Sequence, residues 1–377
     1  MTKSAIEWTD KSWNPVVGCS IVSPGCTNCY AMKMAARLEK MLPPEKRGDA
    51  LLPNLYAATT QTSKAGPVWT GRVNLAREET LTAPLRWRAP RKVFVNSMGD
   101  LFHESVPDEW IDRIFAVMAL APRHTFQVLT KRSKRMRTWC ADSRTAFRVA
   151  RRILDFRLAT ERAAVEAVAA DRWPVKPLGD DPDMPDNITL HRWPLPNVWL
   201  GVSAEDQTRA DERVPDLLAT PAALRFVSAE PLLGAIDFFK IMARWQDATP
   251  YSQRQHIGLG RQLIDWVIVG GESGPRARPM HPDWARGIRD QCKRAGTAFF
   301  FKQWGAWAPF IDRDNDDLDW RRDYSVANTQ DDFQILNLAG GTGFHGERVH
   351  LMKRAGKTAN GRLLDGREWN DWPDIPA

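Results

Sequence analysis

Short apolar runs alternate with longer amphipathic stretches along most of this chain. Six of the runs are rich in β-branched and aromatic residues, end in a polar cluster and are followed by a helix-like segment. They are "RKVFVNSMGD" (91–100), "HTFQVLTKR" (124–132), "NVWLGVSAED" (197–206), "LRFVSAEPLLG" (224–234), "IDWVIVGGESG" (264–274) and "TAFFFKQWG" (297–305). A weaker seventh run, "WNPVVGC" (13–19), precedes them. This alternation predicts βα units and a parallel sheet or barrel.

The segments between the runs carry helix signals. Residues 108–120, "DEWIDRIFAVMAL", begin with an acidic first turn after Pro107 and space their apolar side chains by three and four. We therefore expect an α/β fold, either a TIM-type barrel or a partial (βα) barrel, formed by residues 1–132 and 196–310.

The connection from Ser133 to Leu195 is too long for one crossover. It contains a basic amphipathic stretch (144–170) followed by the Pro/Asp-rich "PLGDDPDMPDN" (177–187). We interpret residues 133–195 as an inserted helical subdomain that the barrel does not need in order to fold. Residues 311–377 are Asp-rich at first and end in "GRLLDGREWNDWP", which predicts a C-terminal cap or small β appendage.

A stripe of arginines runs along the predicted helix of the insertion. Arg144, Arg148, Arg151 and Arg152 recur at spacings of three and four, which places their guanidinium groups on one side of a helix. Such a stripe is typical of a solvated face, and the alternative is contact with nucleic acid.

Composition narrows the class of protein. A hydrophobic content of 43% and a charged content of 26% are those of a globular chain. Since no apolar run is long enough to span a bilayer and the first residues lack a signal-peptide core, we expect a cytoplasmic protein without membrane contact.

The formal net charge of +7 is compatible with polyanionic partners. Several of the 17 tryptophans stand beside basic residues, a pattern that suits packing at loop edges or base stacking.

Polar side chains fall at the end of each predicted strand. Parallel strands closed into a barrel place these ends on one face, so the clusters would converge on a single mouth. We assign catalytic roles to Glu230 and Lys302. Cofactor-binding roles go to Asp100, Ser203, Glu205, Gly270, Gly271 and Glu272.

Three of the five cysteines lie in one loop after the weak first run. Cys19, Cys26 and Cys29 follow the pattern C-x6-C-x2-C, whereas Cys140 and Cys292 stand far away. A reducing compartment disfavours disulfides, so the grouped thiols indicate a metal centre. Three thiolates hold three irons of a 4Fe–4S cluster and leave one iron open. Zinc is the alternative, with His103, His281 or a distant cysteine as fourth ligand.

The segment "GCTNCYA" resembles the cysteine loop of radical S-adenosylmethionine enzymes. That resemblance implies a cluster whose open iron binds the methionine moiety of S-adenosylmethionine, and cleavage of the sulfonium to a 5′-deoxyadenosyl radical. The ordered set "IEWTDKSWNPVVGC", "VFVNSMGDLFHE", "VLTKR", "VWLGVSAE", "FVSAEPLLG", "VIVGGESGPRARPM", "FFFKQWG" and "GRLLDGREWNDWP" further resembles an uncharacterised phage and prophage family called gene-product thirty-seven/sixty-eight.

The sequence departs from the radical enzyme pattern in the cysteine loop and after the second predicted strand. The first gap between cysteines is six residues rather than three, and Asn28 stands where an aromatic residue is usual. After the second predicted strand, "SMGD" with Asp100 replaces the usual Gly-Gly-Glu. The Gly270-Gly271-Glu272 sequence follows a late strand, so that role is not transferred to Glu272. The Gly270-Gly271-Glu272 sequence is either a ligand-binding turn or a Gly-rich βα turn without a ligand.

The sequence thus predicts a phage-type iron–sulfur enzyme that uses S-adenosylmethionine, with a nucleic acid or nucleotide as a possible substrate and a requirement for an electron donor. The alternatives are a zinc protein that binds nucleic acid or a host or phage partner without radical chemistry, and a pure nucleic-acid binder. The sequence does not indicate an oligomeric state.

Overall fold

A computed structural model describes residues 6–41, 55–64, 66–158, 174–177, 188–250, 263–311, 332–342 and 349–374 of the chain. The strands are β1 (Lys11–Trp13), β2 (Val16–Val17), β3 (Thr60–Ser63), β4 (Gly66–Trp69), β5 (Asn74–Leu75), β6 (Lys92–Val95), β7 (Thr125–Thr130), β8 (Val175–Pro177), β9 (Ile188–Leu190), β10 (Val198–Ser203), β11 (Leu224–Ala229), β12 (Trp266–Gly270), β13 (Ala298–Gln303), β14 (Trp307–Ile311), β15 (Phe333–Asn337) and β16 (Val349–Arg354). The helices are α1 (Tyr30–Lys40), α2 (Glu78–Leu81), α3 (Asp108–Leu120), α4 (Ser133–Ala141), α5 (Thr145–Leu158), α6 (Gln207–Leu218), α7 (Phe238–Ala248), α8 (Pro282–Ala295) and α9 (Lys357–Asn360).

A seven-stranded parallel sheet forms the centre of the molecule. Its order, β1-β6-β7-β10-β11-β12-β13, follows the chain, and helices flank it. Consecutive parallel strands in this order curl into a half-barrel. The predicted parallel α/β fold is therefore confirmed, whereas closure into a TIM-type barrel is not: in the described part of the chain the sheet ends at β1 and β13.

Six of the seven predicted strands lie where the sequence places them, and the first is displaced. The strand that pairs with β6 is Lys11–Trp13, in register with Val93–Val95. The β-branched pair of the predicted run, Val16–Val17, instead forms a short antiparallel ladder with β5. The turn after Trp13 contains Pro15, which has no amide hydrogen to give to a ladder, so the sheet strand ends before it.

The two faces of the sheet carry different side chains because neighbours on a strand alternate in direction. Aliphatic residues such as Val202, Val227 and Val269 face the helices in the larger core. Large aromatic rings fill the concave side: Trp8, Phe94, Trp199, Phe226, Trp266 and Phe300. These rings pack the concave side of the half-barrel, and Trp8 and Phe94 also contribute to the wall of the space at the carboxyl ends of its strands.

The C-terminal segment covers the last strand of the half-barrel. The amide of Phe301 donates to the carbonyl of Trp369 (2.9 Å), and the amide of Asp371 donates to the carbonyl of Phe299 (3.2 Å). Trp372 then stacks on Trp266, with ring centroids 4.9 Å apart. This segment pairs the edge of β13 and so protects it from association with other strands.

Strands β14 to β16 form a separate three-stranded antiparallel sheet. The C-terminal cap or β appendage expected for 311–377 stays a prediction, and 312–331, 343–348 and 375–377 lie outside the described residues. None of the described helices is long and apolar enough to cross a membrane.

The described part of the 133–195 segment packs into the main core. Met136 and Trp139 of α4 and Val149 and Ile153 of α5 are buried in the same cluster as the outer face of the sheet. Helix α5 also packs along α3. Removal of α4 and α5 would therefore expose core residues, and we expect them to be needed for folding, in contrast to the expectation from the sequence. Residues 159–173 and 178–187 lie outside the described part.

A glycine on β10 allows an aromatic ring to lie across the strand. A Cβ atom at Gly201 would lie 2.5 Å from the ring of Phe226, whereas a Cβ atom at Gly287, inside α8, would meet nothing within 4 Å. We expect Gly201→Ala to destabilise the protein by about 1–3 kcal/mol, because the buried ring has no space to retreat. Gly287→Ala should stabilise it by up to about 1 kcal/mol, since alanine is the better helix former. Thermal and urea unfolding of the two variants measure both effects, and a neutral Gly201→Ala would contradict this packing.

Candidate functional site

A cavity of about 440 Å³ opens at the carboxyl ends of the parallel strands. Its wall includes these residues of the predicted site: Cys19, Cys26, Cys29, Asp100, Ser203, Glu230, Gly271, Glu272 and Lys302. Glu205 and Gly270 are not part of the wall, and both contact residues that are. The strand ends therefore bring the predicted residues to one region, as a parallel curled sheet requires.

The cysteine loop begins and ends with specific backbone geometry. Gly18 has a φ of +95°, and a Cβ atom there would overlap the carbonyl oxygen of Arg72. Pro24–Cys26 form a short 3-10 helix, and Cys29 is the N-cap of α1. Cys26 is buried, whereas Cys19 and Cys29 are partly exposed. All three cysteines line the cavity, and Cys29 lies at the positive end of α1, an effect that favours the thiolate and opposes burial.

Burial dominates the ionisation of these thiols. It raises the pKa of Cys19 to about 12, and the Asp100 carboxylate adds to that rise, while the Arg132 guanidinium opposes it. Burial also raises the pKa of Cys29, against the effect of the backbone amides of Met32 and Ala31. Burial therefore favours the protonated forms of Cys19 and Cys29, and a metal that binds these two thiols has to displace their protons.

The spacing of the three sulfur atoms bears on the type of metal. Among the described residues, only His281, Asp283 and His350 bring three possible ligand atoms within 4.8 Å of one another. The sulfur atoms of Cys19, Cys26 and Cys29 therefore do not all lie within 4.8 Å of one another. The three thiols are therefore spread more widely than the ligands of one zinc ion, which sit about 2.3 Å from the metal. Thiolates on separate irons of a cluster stand further apart, so the donor set fits an iron–sulfur cluster better than zinc.

Asp100 anchors the start of the cysteine loop. Its carboxylate accepts hydrogen bonds from Oγ1 of Thr130 (2.6 Å) and from the guanidinium of Arg132 (3.2 Å). Arg132 in turn donates to Sγ of Cys19 (3.2 Å) and to the carbonyl and hydroxyl oxygens of Ser20 (3.1 and 2.7 Å). Asp100 thus orients the arginine that holds the first cysteine, a role different from the cofactor contact expected for it.

Glu205 anchors the middle of the loop from the end of β10. Its fully buried carboxylate accepts from the amide of Gly25 (3.2 Å) and from Nη1 of Arg213 (3.0 Å). Burial alone would raise the pKa of Glu205, but Lys131 and Arg213 outweigh it and the pKa is lowered. A Cβ atom at position 25 would approach this carboxylate to 3.0 Å, so glycine allows the close contact.

Glu272 anchors the end of the loop from β12. Its carboxylate accepts from Nδ2 of Asn28 (3.0 Å) and from Nε and Nη2 of Arg278 (2.9 and 2.6 Å). Nη2 of Arg278 also donates to the carbonyl of Pro24 (2.9 Å). Asn28, which departs from the radical enzyme pattern, is therefore the residue through which the loop reaches the sheet.

Sequence reasoning missed three members of these anchors. Arg278 follows the Gly-Gly-Glu sequence and carried a signal, because a base next to a buried acid often pairs with it. Arg213 lies on the buried side of α6, eight residues after Glu205, and Asn28 lies between two cysteines, where no local pattern indicates its partner.

Glu230 and Lys302 form an ion pair on the cavity wall. Nζ of Lys302 lies 2.7 Å from Oε1 of Glu230, and both side chains are 17% exposed. A Cβ atom at Gly270, on the strand between them, would lie 2.8 Å from the same Oε1 atom. Gly270 therefore makes room for the Glu230 side chain. Gly271 similarly accommodates a backbone carbonyl, that of Trp304.

Three further wall residues have unsatisfied polar atoms. In the described part of the chain, Nε1 of Trp8, Nδ2 of Asn96 and Oε1 of Gln303 are buried without a hydrogen-bond partner. Buried groups of this kind usually have a partner, in the protein, in water or in a bound molecule. The two nitrogen atoms offer donors and the oxygen atom offers an acceptor to a polar ligand.

The two histidines considered as zinc ligands lie in different places. Nε2 of His103 is 2.9 Å from Oγ of Ser20, so His103 contacts the cysteine loop. His281 caps α8, where its Nδ1 accepts from the amide of Asp283 (3.1 Å). His281 is not on the cavity wall, so it does not add a ligand to the three thiols.

The fold and the site define a parallel α/β half-barrel protein with a cysteine loop anchored at the mouth of its cavity. The chain belongs to the family described as "Protein of unknown function (DUF5131)", whose model matches residues 3–373. Comparison with curated proteins finds no match, and comparison with solved structures finds none. Since the family description names no activity, the resemblance to radical enzymes stays a prediction.

The Glu272 anchor should make stability depend on pH. The pKa of Glu272 is lowered from its usual value of 4.5: burial would raise it, and the Arg278 side chain, the Arg278 amide and Asn28 outweigh that effect. Its stabilising contribution is therefore complete above pH 4.5 and is lost as the pH falls through its folded pKa. We expect Glu272→Gln to cost about 1–3 kcal/mol at neutral pH and progressively less below pH 4.5.

Urea unfolding of both proteins across this pH range measures the difference. Glu109→Gln is the matched control, because that side chain is 76% exposed. A cost for Glu272→Gln that is the same at every pH would show that the charge is not what anchors the loop.

Proposed function

We propose that this protein is an iron–sulfur enzyme of the radical S-adenosylmethionine type. The observation that carries the proposal is the position of three thiols from one loop on the same cavity wall as the strand-end side chains of a curled parallel sheet. Cys19, Cys26 and Cys29 would hold three irons of a 4Fe–4S cluster and leave the fourth accessible from the cavity.

The cluster and S-adenosylmethionine, when bound, supply an electron and a 5′-deoxyadenosyl group that can abstract a hydrogen atom from a substrate. The chain supplies the surroundings. Arg132 points a guanidinium N–H at Sγ of Cys19 from 3.2 Å, so it would donate a hydrogen bond to that thiolate. Hydrogen bonds to ligand sulfurs and burial both tune the reduction potential of a cluster.

Glu230 and Lys302 are the charged pair that we assign to ligand binding and proton transfer. Asp100, Glu205 and Glu272 hold the cysteine loop. We therefore assign the cofactor binding that the sequence predicted for these three residues to other groups on the wall. The Glu230 carboxylate and the Lys302 ammonium face the cavity, where they offer one acceptor and one donor to a charged ligand. Ser203, Asn96 and Gln303 add neutral polar groups along the same wall.

The basic chain, with a net charge of +7, supports a nucleic acid or a nucleotide as substrate. The proposed chemistry also requires an external electron donor, because the cluster has to be reduced before it can cleave S-adenosylmethionine. A phage origin remains part of the proposal, on the resemblance of the sequence motifs alone.

Metal analysis tests the proposal most directly. After anaerobic purification and reconstitution with iron and sulfide, we expect about four irons and four sulfides per chain. Replacement of Cys19, Cys26 or Cys29 by alanine should remove most of the iron, because each thiol would bind a separate iron. Cys140→Ala and Cys292→Ala are the matched controls, since both thiols are buried away from the cavity, and they should retain full iron content.

Stoichiometric zinc that resists replacement by iron would favour the zinc alternative and exclude the proposal. Loss of iron in Cys292→Ala but not in Cys26→Ala would exclude the assigned ligand set.

The Glu230–Lys302 pair should affect turnover without affecting iron. We expect Glu230→Gln and Lys302→Met each to slow the release of 5′-deoxyadenosine from S-adenosylmethionine by about a hundredfold, because each leaves a half-buried charge unpaired. The double variant should lose less than the product of the single effects, since the two groups act as a unit. Iron content and unfolding temperature serve as controls. Additive effects, or an unchanged rate with either single variant, would exclude the pair from the site.

A further inference from the structure

The exposed face of α1 carries basic residues in a helical row. Tyr30, Lys33, Arg37 and Lys40 recur at spacings of three and four, so they share one side of the helix. The opposite side, with Ala31, Met32 and Ala35, is buried. We call the row formed by Tyr30, Lys33, Met34, Arg37 and Lys40 the α1 face.

The surroundings of the α1 face are also poor in acidic groups. Residues 11–41 and 55–77 contain Glu39 as their sole acidic side chain. The hairpin of β3 and β4 packs against α1 and adds Lys64 near its turn. In the described part of the chain neither Lys33 nor Arg37 forms an ion pair. The charges of Lys33 and Arg37 are therefore available to a polyanion.

The arginine stripe of α5, by contrast, is largely neutralised. Arg148 contacts Asp112 and Asp142 at 3.1 and 2.6 Å, and Arg152 contacts Asp155 at 3.1 Å. The Arg148 pairs attach α5 to α3 and to the turn before α5, and the Arg152 pair lies within α5. The stripe, for which the sequence left nucleic-acid contact as the alternative to a solvated face, thus has Arg148 and Arg152 engaged within the protein.

The α1 face leads into the cavity. Tyr30 follows Cys29, lines the cavity and is 57% exposed, and its hydroxyl donates to the carbonyl of Ser97 (2.9 Å). That hydrogen bond fixes the ring at the mouth, where a flat aromatic surface is accessible. Basic side chains along a track with an aromatic ring on which bases stack are the usual means of binding single-stranded nucleic acid.

The cavity itself has features that suit a base. Trp8, Phe94 and Trp69 contribute rings to its wall, and Asn96 and Gln303 hold the unsatisfied donor and acceptor described above. A base inside a duplex cannot reach such a recess without leaving the stack, whereas a base in a single strand can.

We infer that the α1 face binds single-stranded nucleic acid and directs one of its bases into the cavity. The inference deepens the proposed function by naming its substrate class, and it rests on that function only for the chemistry performed on the bound nucleotide. Charge complementarity selects a polyanion, and the aromatic ring at the mouth selects a strand with bases over an acidic protein.

Fluorescence anisotropy of the full-length protein with a labelled oligothymidylate of about 20 nucleotides tests the inference. The double variant Lys33→Gln/Arg37→Gln should bind at least about fivefold more weakly at low salt. The slope of log affinity against log salt should fall by about 1.4, since two phosphate contacts at about 0.7 each are lost. The matched control, Arg144→Gln/Arg152→Gln on α5, should change affinity less than about twofold.

Tyr30 provides a second, independent measurement. Tyr30→Ala should weaken binding by about five- to a hundredfold through loss of stacking, while Tyr30→Phe, which keeps the ring but loses the hydrogen bond to Ser97, should weaken it less than Tyr30→Ala does. Unfolding temperature and iron content of every variant are measured on the same preparations. Iron content reports on the proposed function, and anisotropy reports on this inference, so either can fail alone.

Three outcomes would overturn the inference. The wild type does not bind the oligonucleotide; the α1 variant binds as tightly and with the same salt slope as the wild type; or polyglutamate of equal charge displaces the oligonucleotide as well as unlabelled oligothymidylate does. The last result would assign the α1 face to an acidic protein.

Discussion

The attachment of an irregular loop to the ends of a parallel sheet is the constraint on which the site depends. The loop from Gly18 to Cys29 has little regular structure of its own, so its buried polar groups need partners elsewhere. Arg132, Glu205 and Glu272 supply them from three different strands. The thiols therefore owe their position to hydrogen bonds with residues that lie more than a hundred positions away in the sequence.

This arrangement changes what the strand-end carboxylates do. Three buried acids near a cavity suggest ligand contacts, because burying a charge is costly unless it is paired. Here each acid is paired with an arginine of the chain: Asp100 with Arg132, Glu205 with Arg213 and Glu272 with Arg278. The cost of burial is thus offset within the protein, and the anchored loop in turn closes one side of the cavity. Glu230 and Lys302, which pair with each other on the cavity wall, are left for a ligand.

The packing of the half-barrel explains the position of the cavity at the carboxyl ends of the parallel strands. Large rings fill the concave side near the amino ends of the strands, and Gly201 allows Phe226 to lie flat across β10. Trp372 of the C-terminal segment extends this aromatic cluster through its stacking on Trp266. Towards the carboxyl ends the side chains become shorter and polar, as with Ser203 and Ser228, and the rings give way to open space.

The sequence by itself determined the alternation of strands and helices, the parallel sheet and the grouping of three cysteines after the first strand. These features follow from short-range patterns, namely the periodicity of apolar residues and the spacing of cysteines, which act over a few residues. It also indicated the strand-end residues, because parallel connections place all such ends on one side. The first strand was displaced by a few residues, since Pro15 interrupts the apolar run that marked it.

Only the tertiary structure decided which strand-end residues hold the loop and which face the cavity. Asp100, Glu205, Glu230 and Glu272 all follow a strand of the parallel sheet, and nothing in the strand pattern distinguishes their roles. Their roles differ because of the partner that each meets, and two of those partners come from distant segments: Asn28, between two cysteines, for Glu272, and Lys302, on the last strand, for Glu230. The charges on α1 and α5 differ in the same way. Both helices are basic in sequence, but packing against α3 neutralises Arg148 with Asp112, whereas Lys33 and Arg37 of α1 have no such carboxylate among the described residues.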